Sequence, residues 1–166
     1  IRWRNKKFGD CFISENKNPL LTPPLTRRWK LKIKKIIFMI DTHVHLDSTF
    51  CDVKRVVSLD AVILSGPSIE SSRNNLLLAE KYPQFYPAVG IHPQEMDDDI
   101  NLLEELVKNP KTIAVGECGL EFVGEVDKKK QIIYFRKQIE LAQKYKKPLI
   151  IHDRKAVDEV VVILNE

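Results

Sequence analysis

Short runs rich in β-formers alternate with helix-periodic segments through most of this chain, and that alternation restricts the fold more than any other feature. The β-rich runs fall at 36–40, 61–64, 85–89, 112–115 and 149–151, and each leads into a segment of helical period. Asp97, Asp98 and Asp99 offer an N-cap and first-turn acids for a helix whose apolar face is Leu102, Leu103, Leu106 and Val107, stopped by Asn109-Pro110. Asp127 opens a longer helix with Ile132, Phe135, Ile139 and Ala142 on one face, ending before Pro148. Ala156, Val157, Val160, Val161 and Leu164 recur at helical spacing in a last one. Strand and helix in alternation require parallel strands joined by right-handed crossovers, in an open doubly wound sheet or a (β/α)8 barrel. Periodicity does not choose between the two.

Charge looks like a hint of nucleic-acid binding until it is divided along the chain. Residues 1–38 carry 11 Lys and Arg against Asp10 and Glu15, a net +9, which leaves −5 for the remainder of a chain whose total is +4. The basic character therefore belongs to a leader that contains Pro19, Pro23 and Pro24 and shows no sustained period before Leu31. It reads as a disordered or loosely attached extension, with Met39 a natural start; a nucleic-acid-binding arm and a targeting peptide are the alternatives. Residues 39–166 form the domain. No stretch approaches the ~20 apolar residues of a membrane span. Cys11, Cys51 and Cys118 lack both C-x-x-C spacing and the density of a disulfide scaffold, so a reducing, cytoplasmic location is expected.

In either architecture chemistry collects at the C-terminal ends of parallel strands. Those ends read Asp41-Thr42-His43-Val44-His45-Leu46-Asp47, Gly90-Ile91-His92-Pro93, Gly116-Glu117-Cys118-Gly119-Leu120-Glu121 and Ile150-Ile151-His152-Asp153-Arg154, and they hold all four histidines of the chain. Side chains alternate across a strand, so Asp41, His43 and His45 share a face. Two imidazoles so placed can grip one ion, and a carboxylate using both oxygens can bridge two; imidazole and carboxylate suit Zn²⁺, Mn²⁺ or a similar cation. Taken singly, each has a plainer explanation: His92 as a capped loop residue, Glu117 as a turn carboxylate, His152 as a satisfied core histidine. Four successive strand ends each delivering a His or Glu is a pattern that solvated loops give no reason for.

The runs Met39-Ile-Asp-Thr-His-Val-His-Leu-Asp47, Ala88-Val-Gly-Ile-His-Pro93 and Val115-Gly-Glu-Cys-Gly-Leu-Glu121 are followed by Gln131, Phe135, Gln138, Leu141-Ala142 and Pro148-Leu-Ile-Ile-His152 with Arg154 and Ala156. In order and spacing this series, over residues 39–157, resembles the signature segments of the TatD family of metal-dependent deoxyribonucleases. The resemblance implies a TIM-type (β/α)8 barrel, here truncated to about five β/α units, that hydrolyses DNA phosphodiesters with two divalent ions (Mg²⁺, Mn²⁺ or Zn²⁺). It makes His43 and His45 ligands of one metal, Glu117 the bridging catalytic carboxylate, and His152 a ligand of the second metal. His92 and Arg154 match positions next to the substrate, and Asp41 is placed to orient an imidazole.

Two departures stand out: the family usually has Asp where Glu121 stands and often a further His where Gln94 stands. Its pattern also calls for a later metal-binding His and a catalytic Asp, whereas Met39 to Glu166 is about half of the ~250 residues of a full barrel. The expectation is an incomplete barrel, weakly active or inactive by itself, whose C-terminal half would be a separate chain or unread sequence, and whose open edge and apolar interior are exposed. A small-molecule amidohydrolase or phosphoesterase barrel is one alternative, disfavoured because Glu117 stands where such enzymes often use a carboxylated lysine. A non-catalytic remnant or interaction module is the other.

Overall fold

The computed structural model describes residues 38–46, 50–96 and 99–166, so residues 1–37 of the leader, Asp47, Asp97 and Asp98 lie outside the described residues. Five strands, β1 (Ile40–Val44), β2 (Ala61–Gly66), β3 (Phe85–Val89), β4 (Ala114–Glu121) and β5 (Leu149–Arg154), form one parallel sheet in the order β1-β2-β3-β4-β5. A doubly wound sheet reverses its strand order at a switch point; a barrel adds each strand beside the last. The sequential order therefore assigns this sheet to the TIM-type barrel class. Helices α1 (Phe50–Val56), α2 (Ile69–Lys81), α3 (Leu103–Lys108), α4 (Lys128–Tyr145) and α5 (Val157–Leu164) complete the alternation. No helix among the described residues is long and apolar enough to cross a membrane.

Strand limits differ from the sequence reading where the neighbours decide pairing. β1 starts at Ile40, so Asp41 and His43 lie within the strand, paired onto β2 through Ile40↔Ala61 and Val44↔Leu64. The expected strand at 112–115 begins instead at Ala114 and continues to Glu121, because β5 pairs with it as far as Glu121↔Arg154. Thr112 is buried outside the strand, its Oγ1 donating to the Leu106 carbonyl at 2.7 Å. β4 is covered along nearly its whole length, while the outer strands β1 and β5 expose half or more of theirs, including Ile40 and Ile151.

The helices show why caps are easier to read than faces. Asp127 accepts from the Lys130 N–H at 3.0 Å, as an N-cap should, and α4 buries Phe135 and Ala142. Asp99 caps a 3₁₀ turn, Ile100–Leu102, rather than α3 directly. Its tighter winding turns Ile100 inward with Leu103 and Val107 and leaves Leu102 exposed, against the expected face. α5 also corrects the expectation: Ala156, Val160 and Ile163 are buried, whereas Val157, Val161, Val162 and Leu164 are exposed. A helix apolar almost all round has no periodic signal to select its inner face.

Two buried glutamines tie α4 to the sheet. Gln138 accepts from the Ile91 N–H at 2.9 Å and donates to the Ile91 carbonyl at 3.0 Å. Gln131 does the same for Glu121, at 2.9 and 3.0 Å. Each amide thus takes the part of a missing neighbouring strand, satisfying both backbone groups of one residue at a strand end. Gln138→Leu keeps the volume but leaves the Ile91 N–H and C=O unpaired in a dry interior. It is expected to destabilise the protein by about 2 to 4 kcal/mol, read by urea unfolding; a loss under about 0.5 kcal/mol would contradict the clamp. Cys118, packed with Leu120 and Phe135, has its thiol pushed up to about 12 by burial, the state of an inert core residue.

Candidate metal centre

β1 and the residues just after it present His43 and His45, two apart on an extended backbone and so on one face. β4 presents Glu117 to them. The two Nε2 atoms are 2.9 Å apart, and Glu117 Oε2 lies 3.2 Å from His43 Nε2 and 3.3 Å from His45 Nε2. His45 Nδ1 donates to the Ser65 carbonyl at 3.2 Å, which holds the proton on Nδ1 in the neutral ring and turns the Nε2 lone pair toward His43 and Glu117.

Those three atoms fit a divalent ion. Ligands about 2.0 to 2.1 Å from a metal stand roughly 2.9 to 3.4 Å apart, in octahedral or tetrahedral arrangement. The observed edges fall in that interval, and the donor set, two imidazoles and a carboxylate, is one that Zn²⁺ or Mn²⁺ accepts.

The other Glu117 oxygen faces β5: Oε1 is 3.0 Å from His152 Nδ1. His152 Nε2 lies 3.1 Å from Glu121 Oε2 on its far side. His92, after β3, stands edge-on to His152 with centroids 4.3 Å apart. Its Nδ1 accepts from the Gln94 N–H at 3.1 Å, and burial, reinforced by His152, pulls its pKa down to about 4. His92 is therefore neutral with its proton on Nε2, a hydrogen-bond donor rather than a lone-pair ligand there. His92, Glu121 and His152 do place ligand atoms within 4.8 Å of one another as a second group. Glu121 Oε1, however, already accepts from Gln94 Nε2 at 2.7 Å and from Arg154 Nη1 at 3.2 Å.

The structure thus brings His43, His45, Glu117 and His152 together, with His92 and Arg154 at the margin. Asp41 is not where the sequence expectation put it: its carboxylate accepts from the His43 backbone N–H at 3.1 Å. The shortness of an aspartate favours that bond within its own strand, and the Ser65 carbonyl orients the His45 imidazole instead. The two departures from the family pattern, Gln94 and Glu121, touch each other. The sequence carries no signal for that contact beyond marking both positions as unusual.

Electrostatics couple the group to pH. The hydrogen bond from His45 is the largest of the influences holding Glu117 down at about 2, and the same bond raises His45 above its ordinary 6.5. In the metal-free protein this pair stabilises fully below about 6.5 and its contribution fades as pH rises through the raised His45 value. A cation needs the same Nε2 unprotonated, so its dependence is opposite. Affinity for Mn²⁺ is expected to weaken steadily as pH falls from about 8 to about 6. Calorimetric titration at constant ionic strength checks this, and a flat profile across that range would contradict it.

Comparison with known proteins places these features in a family. Residues 40–166 match the pattern described as TatD related DNase. The chain is 30% identical over 141 residues to YabD of Bacillus subtilis (strain 168), an uncharacterized metal-dependent hydrolase, covering 77% of this chain and 55% of that protein. It is 32% identical over 117 residues to the 3′-5′ ssDNA/RNA exonuclease TatD of Edwardsiella piscicida, covering 67% and 45%. The crystal structure of YJJV, a TatD homologue from Escherichia coli K12, superposes with a TM-score of 0.65 at 27% identity, covering 76% of this chain and 54% of that one. The chain spans about half the length of the curated relatives it matches. With its sequential parallel sheet and the histidines and glutamate gathered at the strand ends, this chain belongs to the TatD related DNase family.

Proposed function

We propose that this protein takes part in divalent-metal-dependent hydrolysis of phosphodiester bonds in DNA, with His43 and His45 holding one ion, His152 a second, and Glu117 bridging them. The observation that carries the reading is the split of one carboxylate, with Oε2 turned to the His43–His45 pair and Oε1 to His152. Cations bound there would supply Lewis acidity, acidifying water and offsetting charge on the phosphate. The residues of this chain do the remainder. The Ser65 carbonyl fixes the His45 ring, and Glu117, ionised at any physiological pH, keeps its two oxygens directed to the two sides. His92 offers a neutral N–H for a phosphate oxygen, and the exposed guanidinium of Arg154, on the far oxygen of Glu121, offers a fixed positive charge.

The name of the Edwardsiella relative supports single-stranded DNA or RNA, attacked from the 3′ end, as the substrate class. The test is direct. The purified chain is incubated with 5′-labelled single-stranded DNA, a duplex and a supercoiled plasmid, with Mn²⁺ or Mg²⁺ and with EDTA. Slow metal-dependent shortening of the single strand, abolished by EDTA, is the expected result, in keeping with the weak activity expected of a half-length barrel. No stoichiometric binding of any divalent ion to the chain would overturn the reading.

A further inference from the structure

We propose that Glu121 is a positioning residue, which holds the His152 ring so that Nδ1 is its ligand atom and Nε2 carries the proton. The inference rests on the metal centre proposed above and goes beyond it by assigning an orientation and a residue outside the ligand set. An imidazole that ligates through one nitrogen donates through the other, and a carboxylate is a strong acceptor for that proton. His152 has a carboxylate at each nitrogen: Glu117 Oε1 at 3.0 Å from Nδ1 and Glu121 Oε2 at 3.1 Å from Nε2. Glu117 also reaches the His43–His45 pair, so its side of the ring is the metal side. The proton then falls on Nε2, facing Glu121.

Glu121 is built to receive it. The residue is 4% exposed, and its other oxygen is occupied by Gln94 and Arg154. Its backbone N–H and C=O are both held by Gln131. Only Oε2 is left to point at His152. A direct ligand role for Glu121 fits less well, because the Arg154 guanidinium sits 3.2 Å from Oε1 and would repel a cation bound there. The nearest further imidazole, His92, has its Nδ1 taken by the Gln94 N–H.

The experiment compares Mn²⁺ binding by calorimetry in the wild-type chain, Glu121→Gln, Glu121→Asp and His43→Ala. Glu121→Gln should weaken binding about 10- to 100-fold without changing the number of ions bound, and Glu121→Asp, which keeps the charge, should recover part of that loss. Unchanged affinity in Glu121→Gln, or the disappearance of one whole ion from the stoichiometry, overturns the assignment. If Glu121→Gln does not fold, long-range ¹H–¹⁵N correlation of His152 in the wild type loaded with diamagnetic Zn²⁺ decides: a proton on Nε2 supports it and a proton on Nδ1 overturns it. A wild-type chain that binds no Mn²⁺, or His43→Ala binding as wild type does, sinks the metal-centre reading itself; normal wild-type binding with an indifferent Glu121→Gln sinks only the role of Glu121.

Discussion

Glu117→Ala is expected to abolish the proposed divalent-metal binding, with affinity falling by more than ~100-fold, beyond the 10- to 100-fold typical of residues that only orient a ligand. The reason is geometric. Among the described residues, Glu117 is the one side chain that touches both histidine groups, reaching His43 and His45 with one oxygen and His152 with the other. On the proposed reading its loss would remove a negative ligand from both sides at once and leave neutral imidazoles to bind a dication unaided. Elemental analysis of exhaustively dialysed protein and Mn²⁺ titration read the effect. Thermal unfolding of the metal-free variant separates it from misfolding. The His45–Glu117 pair stabilises the metal-free protein less as pH rises, so melts on the alkaline side of neutrality should show a small difference while metal binding is lost. A variant that retains one ion per chain at wild-type affinity would refute the bridging role.

Gly119→Ala is expected to cost about 3 to 5 kcal/mol, or to prevent folding. Gly119 has φ +143, a region that L-residues rarely enter, and it lies opposite His152 in the β4–β5 register. A Cβ there would be driven into the His152 carbonyl oxygen, a backbone atom that cannot swing away. Relief would require β5 to separate from β4, carrying His152 off both Glu117 and Glu121, so residual folded protein should also bind metal poorly. Gly124→Ala is the control. Its φ of +80 is also positive, but nothing lies within 4 Å of the added carbon, so it should cost only about 1 to 2 kcal/mol of backbone strain. Chemical denaturation of both variants measures the contrast, and equal losses would show that the strand contact is not the cause.

Much of the scaffold was legible because its signals are local. The Asp127 cap bonds a backbone group three residues on, and the two-residue spacing of His43 and His45 turns both rings to one face of an extended chain. Gly116 and Gly119 give no local sign of what they do: with positive φ and no Cβ they let β4 pair with β5 between Val115 and Glu121, across the irregularity that separates Val115 from Cys118. Gln131 and Gln138 carry no local mark of their task, which is to satisfy backbone groups of another segment.

By itself the sequence determined that strands and helices alternate, that the strands are parallel, and which histidines and carboxylates stand at strand ends, since periodicity and capping act over a few residues. Only the tertiary structure decided that the strands add in sequence order, that Ser65 rather than Asp41 orients His45, that Gln94 meets Glu121, and which oxygen of Glu117 faces which histidine. Those outcomes depend on groups such as Glu117 and His152, 35 residues apart in the chain, brought within hydrogen-bond distance by the packing of whole elements.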